Sequence, residues 1–187
     1  RKKLPVVLEP GECQRLLKQP NRRYQTGIRN KAIMFVMLNM GLRVSEITDL
    51  KPGSINITNR KLRVVNGKGG VDRDLIIPAG IEETLKQWKG RKPRGTKYFF
   101  TTLKGKKLST RYLCDMVKRY SRKAKIDKIV SPHTLRHTFA TEYYRQTKDI
   151  ETLRRILGHA DISTTTIYIT LANTDVESGM KSFKGFL

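Results

Sequence analysis

The chain has 187 residues, about the size of one domain, with 39 Lys and Arg against 16 Asp and Glu for a formal charge of +23. No stretch approaches the ~20 apolar residues that cross a bilayer, and the opening RKKLPVVLEP lacks the apolar core and small-residue cleavage site of a signal peptide. Cys13 and Cys114 stand far apart with no Cys-x-x-Cys spacing, which excludes a disulfide framework or zinc knuckle and points to a reducing, cytoplasmic setting.

The positive charge is spread along the chain rather than gathered in a tail. Folding such a chain costs self-repulsion, which a polyanion relieves, so nucleic acid is the natural partner. A membrane surface fits less well, because no long basic amphipathic helix carries a Trp/Phe face. The chain opens on Arg1 rather than Met, as a piece of a longer protein would.

In chain order, Glu9-Pro10-Gly11 followed by Cys13, Leu16 and Leu17 predicts a short helix with Pro in its first turn. Residues 28–40, IRNKAIMFVMLNM, are the most apolar stretch and predict a buried central helix with Gly41 at its C-cap. A second short helix starts near Ser45. Over residues 54–78 the period changes: Ile/Val-rich runs separated by Asn59-Arg60 and Gly67-Lys68-Gly69-Gly70 predict a small antiparallel sheet. Pro78 ends it, and a helix to about Trp88 follows. Tyr98-Phe99-Phe100 reads as a short strand or extended piece. Ser109 starts a helix to Ala124, and Ser131-Pro132, at N-cap and N1, start one to about Gln146. Asp149 caps another that ends at Gly158; Asp161 caps one more, although Thr164, Thr165 and Thr166 are poor helix formers. The fold class is α+β, mainly α-helical with one small antiparallel β-sheet.

Chemistry-bearing side chains are few. His133 and His137, four apart on one helix, have a spacing that chelates zinc, but the metalloprotease pattern needs Glu after the first His and Thr134 stands there. Arg136 lies three residues on from His133, so both emerge on nearly one face, a pairing that suits a phosphate oxygen or an ordinary solvated surface. Arg43, just past the apolar helix, needs an anion: Glu46 or a ligand. Lys68 in its Gly-rich turn is either an exposed turn lysine or a mobile ammonium able to reach a leaving oxygen. His159 follows a helix C-terminus, whose dipole favours a protonated ring. Tyr168, taken alone, reads as half-buried core as readily as nucleophile.

In order, GLRVSE, a turn lysine, HTLRHTFAT, LGH and a tyrosine nine residues later resemble the catalytic domain of the tyrosine recombinases, the phage integrase family. The resemblance covers about residues 5–172. It implies that Arg43, Lys68, His133, Arg136 and His159 form the catalytic set, with Tyr168 as nucleophile. It further implies that residues 1–187 are a single catalytic domain separated from a helical, N-terminal core-binding domain. The tail, residues 171–187, would dock on a neighbouring subunit; at helical spacing, Val176, Met180, Phe183 and Phe186 equally suit covering their own core. The implied partner is double-stranded DNA, with a homo-oligomer, a tetramer, on DNA and a monomer in isolation. The implied source is a prokaryote, phage or mobile element.

The implied reaction is transesterification. A phenol with a pKa near ~10 is about one part in a thousand ionised at pH 7, and surrounding cations lower that cost. Arg43 and Arg136 would clamp the non-bridging oxygens, His133 and His159 donate further hydrogen bonds, and His133 also accept the phenolic proton. Lys68 would protonate the departing 5′ oxygen. One ester replaces another through a 3′-phosphotyrosyl link, so no ATP, cofactor or metal is called for. Arg111 and Lys118, seven apart on one helix, and Lys107 are the candidate DNA contacts, with a solvated face as their bland alternative. A non-cleaving DNA-binding module and a type IB topoisomerase-like relaxase are the competing readings.

Overall fold

In the computed structural model, residues 4–66, 71–159, 165–172 and 183 are described. Eight α-helices among them are α1 (Pro10–Lys18), α2 (Gln25–Met40), α3 (Val44–Asp49), α4 (Glu82–Arg91), α5 (Thr110–Lys123), α6 (Pro132–Thr147), α7 (Ile150–Leu157) and α8 (Ile167–Leu171). Three strands, β1 (Ile55–Asn56), β2 (Lys61–Val64) and β3 (Arg73–Ile76), form one antiparallel sheet in sequence order. Leu62 pairs with Ile55 on one side and Leu75 on the other, which sets the buried face. The fold is mostly helical with a small sheet, as the sequence predicts.

α2 is the central element because it is apolar on nearly every side. Its Ile28, Ala32, Ile33, Met34, Val36, Met37 and Met40 are all buried, and it packs against α1, α4 and α6. Gly41 ends it in the left-handed conformation, φ 65°, and a Cβ there would collide with the Phe139 ring. Trp88 of α4 donates from Nε1 to the Phe99 carbonyl at 2.9 Å, and Phe99 and Phe100 are buried. Residues 98–100 are irregular rather than a strand, and the pairing there is a single bridge between Thr101 and Lys107. A second, smaller cluster holds Ala140, Leu153, Leu157 and Tyr168, where α6, α7 and α8 meet.

The caps agree with the sequence. Ser109 accepts from the Tyr112 N–H, Ser131 from Thr134 and Asp149 from Thr152. α3 starts at Val44, beside the predicted Ser45, with Arg43 as its N-cap: the Arg43 N–H donates to Glu46 Oε2 at 2.8 Å. The predicted cap at Asp161, the Lys68 turn and residues 173–182 and 184–187 of the tail lie outside the described residues. No helix among the described residues is long and apolar enough to cross a membrane.

One buried polar cluster is structural. Arg29 on α2 donates to the Thr101 carbonyl at 2.9 Å, to Asn30 Oδ1 at 3.1 and 3.0 Å, and to the Tyr112 hydroxyl. Burial lowers the Arg29 pKa, the cost of a cation whose side-chain acceptors here are neutral. Asn30→Asp places a carboxylate where Asn30 Oδ1 already meets two guanidinium nitrogens. Charge-assisted hydrogen bonds are stronger than neutral ones, so thermal melts are expected to show a Tm about 2–4 °C higher. An unchanged or lower Tm would mean that carboxylate desolvation offsets the gain.

Candidate active site

Three elements bring the site together. The sharp left-handed exit from α2 at Gly41 turns the chain so that Arg43 heads α3 beside the core. The Ser131-Pro132 start fixes the register of α6, and with it Arg136. Gly158, left-handed at φ 67°, ends α7 and delivers His159.

Arg136 lies at the centre and is 5% exposed, whereas His133 on the same helix is exposed. The two therefore do not share one solvated face. Nη1 donates to the Gly41 carbonyl, and Nη2 donates to the Leu157 carbonyl at 2.8 Å and to His159 Nε2 at 3.1 Å. Those two carbonyls close α2 and α7, whose dipoles put partial negative charge there. Burial, with Arg43 next, lowers the Arg136 pKa to about 10, so the guanidinium is charged at neutral pH. Arg43 donates from Nη1 to Glu46 Oε1 at 3.1 Å, and its side chain is 35% exposed. Behind it Arg73 of β3 forks onto the same carboxylate, at 2.8 and 2.9 Å. Burial pushes the Glu46 pKa up, but the Arg73 fork, then the Arg43 backbone N–H and the charge of Arg136, hold the carboxyl below the usual carboxylate range.

The His159 ring sits between Arg136 and Thr165, with Nδ1 2.9 Å from Thr165 Oγ1. Because guanidinium has no acceptor, Nε2 accepts and Nδ1 carries the proton. Burial, then Arg136, Arg43 and Arg73, lower its pKa to about 4. The helix-dipole expectation of a protonated His159 is thus overturned: one dipole end is outweighed by desolvation and three guanidinium groups.

Tyr168 on α8 is buried, and its Oη lies 2.8 Å from His137 Nδ1. Burial raises its pKa above the ordinary phenol value, while Arg136 and then Arg43 pull it down. The phenol is therefore within the field of the two arginines and is neutral in this state. His137, weighed in the sequence only as a zinc ligand, is the group it touches. Burial, then His133 and Arg136, lower the His137 pKa, so the contact joins two neutral groups. The sequence holds a partial signal, the four-residue spacing from His133 that puts both on one helical side, where the two rings stack with centroids 6.3 Å apart. Glu46 and Arg73 as a pair were half visible, since only the local Arg43–Glu46 contact follows from spacing.

Beside Glu46 a cavity of about 310 Å³ carries Lys51, Arg63, Lys97 and Tyr98 on its walls. Of the candidate DNA contacts, Lys107 pairs with Asp49, Arg111 lies 3.9 Å from Asp115 on an open helix face, and Lys118 is exposed. Lys68 falls outside the described residues.

Residues 6–174 match the model of the phage integrase family. A tyrosine recombinase XerD from Ralstonia nicotianae is 35% identical over 178 residues, covering 91% of this chain and 57% of the relative. The crystal structure of XerA recombinase superposes with a TM-score of 0.82 at 29% identity, over 97% of this chain and 63% of that one. XerH recombinase, in a post-cleavage complex with its palindromic difH substrate, gives 0.81 at 27% identity, over 96% and 54%. The chain thus spans little more than half the length of these proteins.

The His159 shift has a measurable consequence. Its pKa falls from the ordinary 6.5 to about 4 on folding, so between those values the unfolded chain binds the extra proton. Stability is expected to fall as pH drops from about 6.5 towards 4, and this component should be flat above that window. An NMR titration should show a neutral His159 ring down to about pH 4. A ring titrating near 6.5 would refute the geometry.

Proposed function

Because this chain belongs to the phage integrase family, we propose that it is the catalytic domain of a site-specific tyrosine recombinase that cuts and rejoins double-stranded DNA. The observation that supports this most is convergence. Arg43 from the start of α3, Arg136 from within α6 and His159 from just past α7 come to one cluster, and the Tyr168 phenol lies within the field of both arginines.

In the proposed reaction Tyr168 Oη attacks the scissile phosphorus and the P–O5′ bond breaks. Arg43 and Arg136 stabilise the charge that grows on the non-bridging oxygens. The phenolic proton passes to a histidine. His133 was the candidate from sequence, and His137 already holds the phenol in the described state. Lys68 protonates the departing O5′. Reversal with another 5′-hydroxyl joins new partners without ATP. His159 contributes a hydrogen bond once phosphate displaces its contact with Arg136 and a nearby anion raises its pKa.

The same reading makes the tail, residues 171–187, the link to a neighbouring subunit and a tetramer on DNA the working form. A core-binding domain elsewhere in the full protein completes the DNA clamp. A bacterial or mobile-element origin and a cytoplasmic location accompany this assignment. Arg111 and Lys118 contact backbone phosphates from the open face of α5, while Lys107 must first leave Asp49.

Two measurements test this. A pool of nicked duplexes of random sequence, incubated with the protein in its full natural length, should yield SDS-resistant adducts that sequencing resolves to one site. Tyr168→Phe should abolish them and EDTA should not. An adduct that survives Tyr168→Phe, or none at any sequence, would sink the assignment. For binding, Arg111→Ala with Lys118→Ala should flatten the log Kd against log salt slope by about 1.8, two phosphates at roughly 0.9 each. An unchanged slope removes α5 from the interface.

A further inference from the structure

Arg73 is the one guanidinium of the cluster that no step above uses. Its side chain is 6% exposed, so it does not face DNA, whereas Arg43 at 35% does. We infer that Arg73 is a positioning residue for strand cleavage, holding Glu46 so that Arg43 is aimed at the scissile phosphate. This rests on the DNA-cleaving function proposed above.

The bonding pattern carries the inference. Glu46 Oε1 accepts from Arg73 Nη1 at 2.8 Å and from Arg43 Nη1 at 3.1 Å; Oε2 accepts from Arg73 Nη2 at 2.9 Å and from the Arg43 N–H at 2.8 Å. A carboxylate gripped by a fork cannot rotate, so the direction it offers Arg43 is fixed. Arg73 also takes the bidentate geometry for itself. Arg43 is left with a one-nitrogen contact and keeps the rest of its fork for an anion. Without Arg73, Arg43 is the nearest cation able to fork onto Glu46, and its charge would be drawn away from the phosphate.

The third donor ties this pair to the other half of the site. Arg73 Nε donates to the Ile156 carbonyl, one residue before the carbonyl that Arg136 holds. Gly158 makes room: a Cβ there would lie 2.9 Å from Arg73 Nη1. One side chain from β3 thereby sets the relation between the α3 arginine and the turn that presents His159.

The test compares wild type with Arg73→Lys and Arg73→Met. Each is assayed for adduct formation on the recovered target, with an ordinary phosphodiester or a neutral methylphosphonate at the scissile position. A methylphosphonate carries less charge for Arg43 to meet, so a fault in aiming Arg43 matters less there. Arg73→Lys is expected to slow cleavage of the phosphodiester by about 10- to 100-fold and of the methylphosphonate by several-fold less. In an Arg43→Ala background it should cost little more. Equal losses on both substrates, or losses that add to those of Arg43→Ala, would mean a merely structural role and overturn the inference. So would an unchanged rate, or a defect erased by a 5′-thiol leaving group, which would place Arg73 behind the general acid instead. If both variants fail to fold, the wild-type Arg73 Nε–H decides: slow solvent exchange is expected, and exchange as fast as at surface arginines would refute it. Absence of adduct in wild type would count against the proposed function, not against Arg73.

Discussion

Arg136 is a cation buried where its hydrogen bonds go to carbonyls and a neutral ring rather than to a carboxylate. Two helix ends converge on it, and their aligned peptide dipoles do what a counter-ion would otherwise do. A carboxylate there would have neutralised the charge. Carbonyls stabilise it while leaving the positive potential to act on whatever enters. The same choice explains the neutral His159 and the influence on Tyr168: each titratable neighbour feels a cation that is held but not cancelled.

Glu46 makes that concentration of positive charge tolerable. One carboxylate sits among Arg43, Arg73 and Arg136, enough to hold two of them in place and too little to neutralise all three. The arrangement is a compromise between self-repulsion, which would scatter the arginines, and full pairing, which would disarm them. Elsewhere Lys107, Lys128, Arg154 and Arg155 also lie in ion pairs, which offset part of the remaining self-repulsion.

Much of the fold was legible because its signals are local. Ser109, Ser131 and Asp149 cap the helices they appear to cap, and the apolar run before Gly41 is the central helix. Where local signals mislead, a distant partner decides. Residues 98–100 are β-prone, but their backbone groups bond to Leu50, Trp88 and Thr96, and Phe99 and Phe100 bury their rings without a ladder. His159 follows a helix end, which favours its charged form, yet arginines from α3, α6 and β3 reverse that preference. Arg73 carries no mark in the sequence, and His137 reads there only as a zinc ligand, for one reason. The contacts that give each its place, Arg73 with Glu46 and His137 with Tyr168, span 27 and 31 residues of sequence.

The sequence distances around Arg136 carry one more consequence. Its guanidinium closes on residues 95 and 21 positions away, and neither carbonyl is correctly aimed until α2 and α7 have both ended in their left-handed glycines. A chain in which either helix end has yet to form carries the basic residues but not the cradle that holds Arg136. The strand-breaking chemistry proposed for this site therefore depends on tertiary structure, a dependence that comes from topology rather than from an inhibitor.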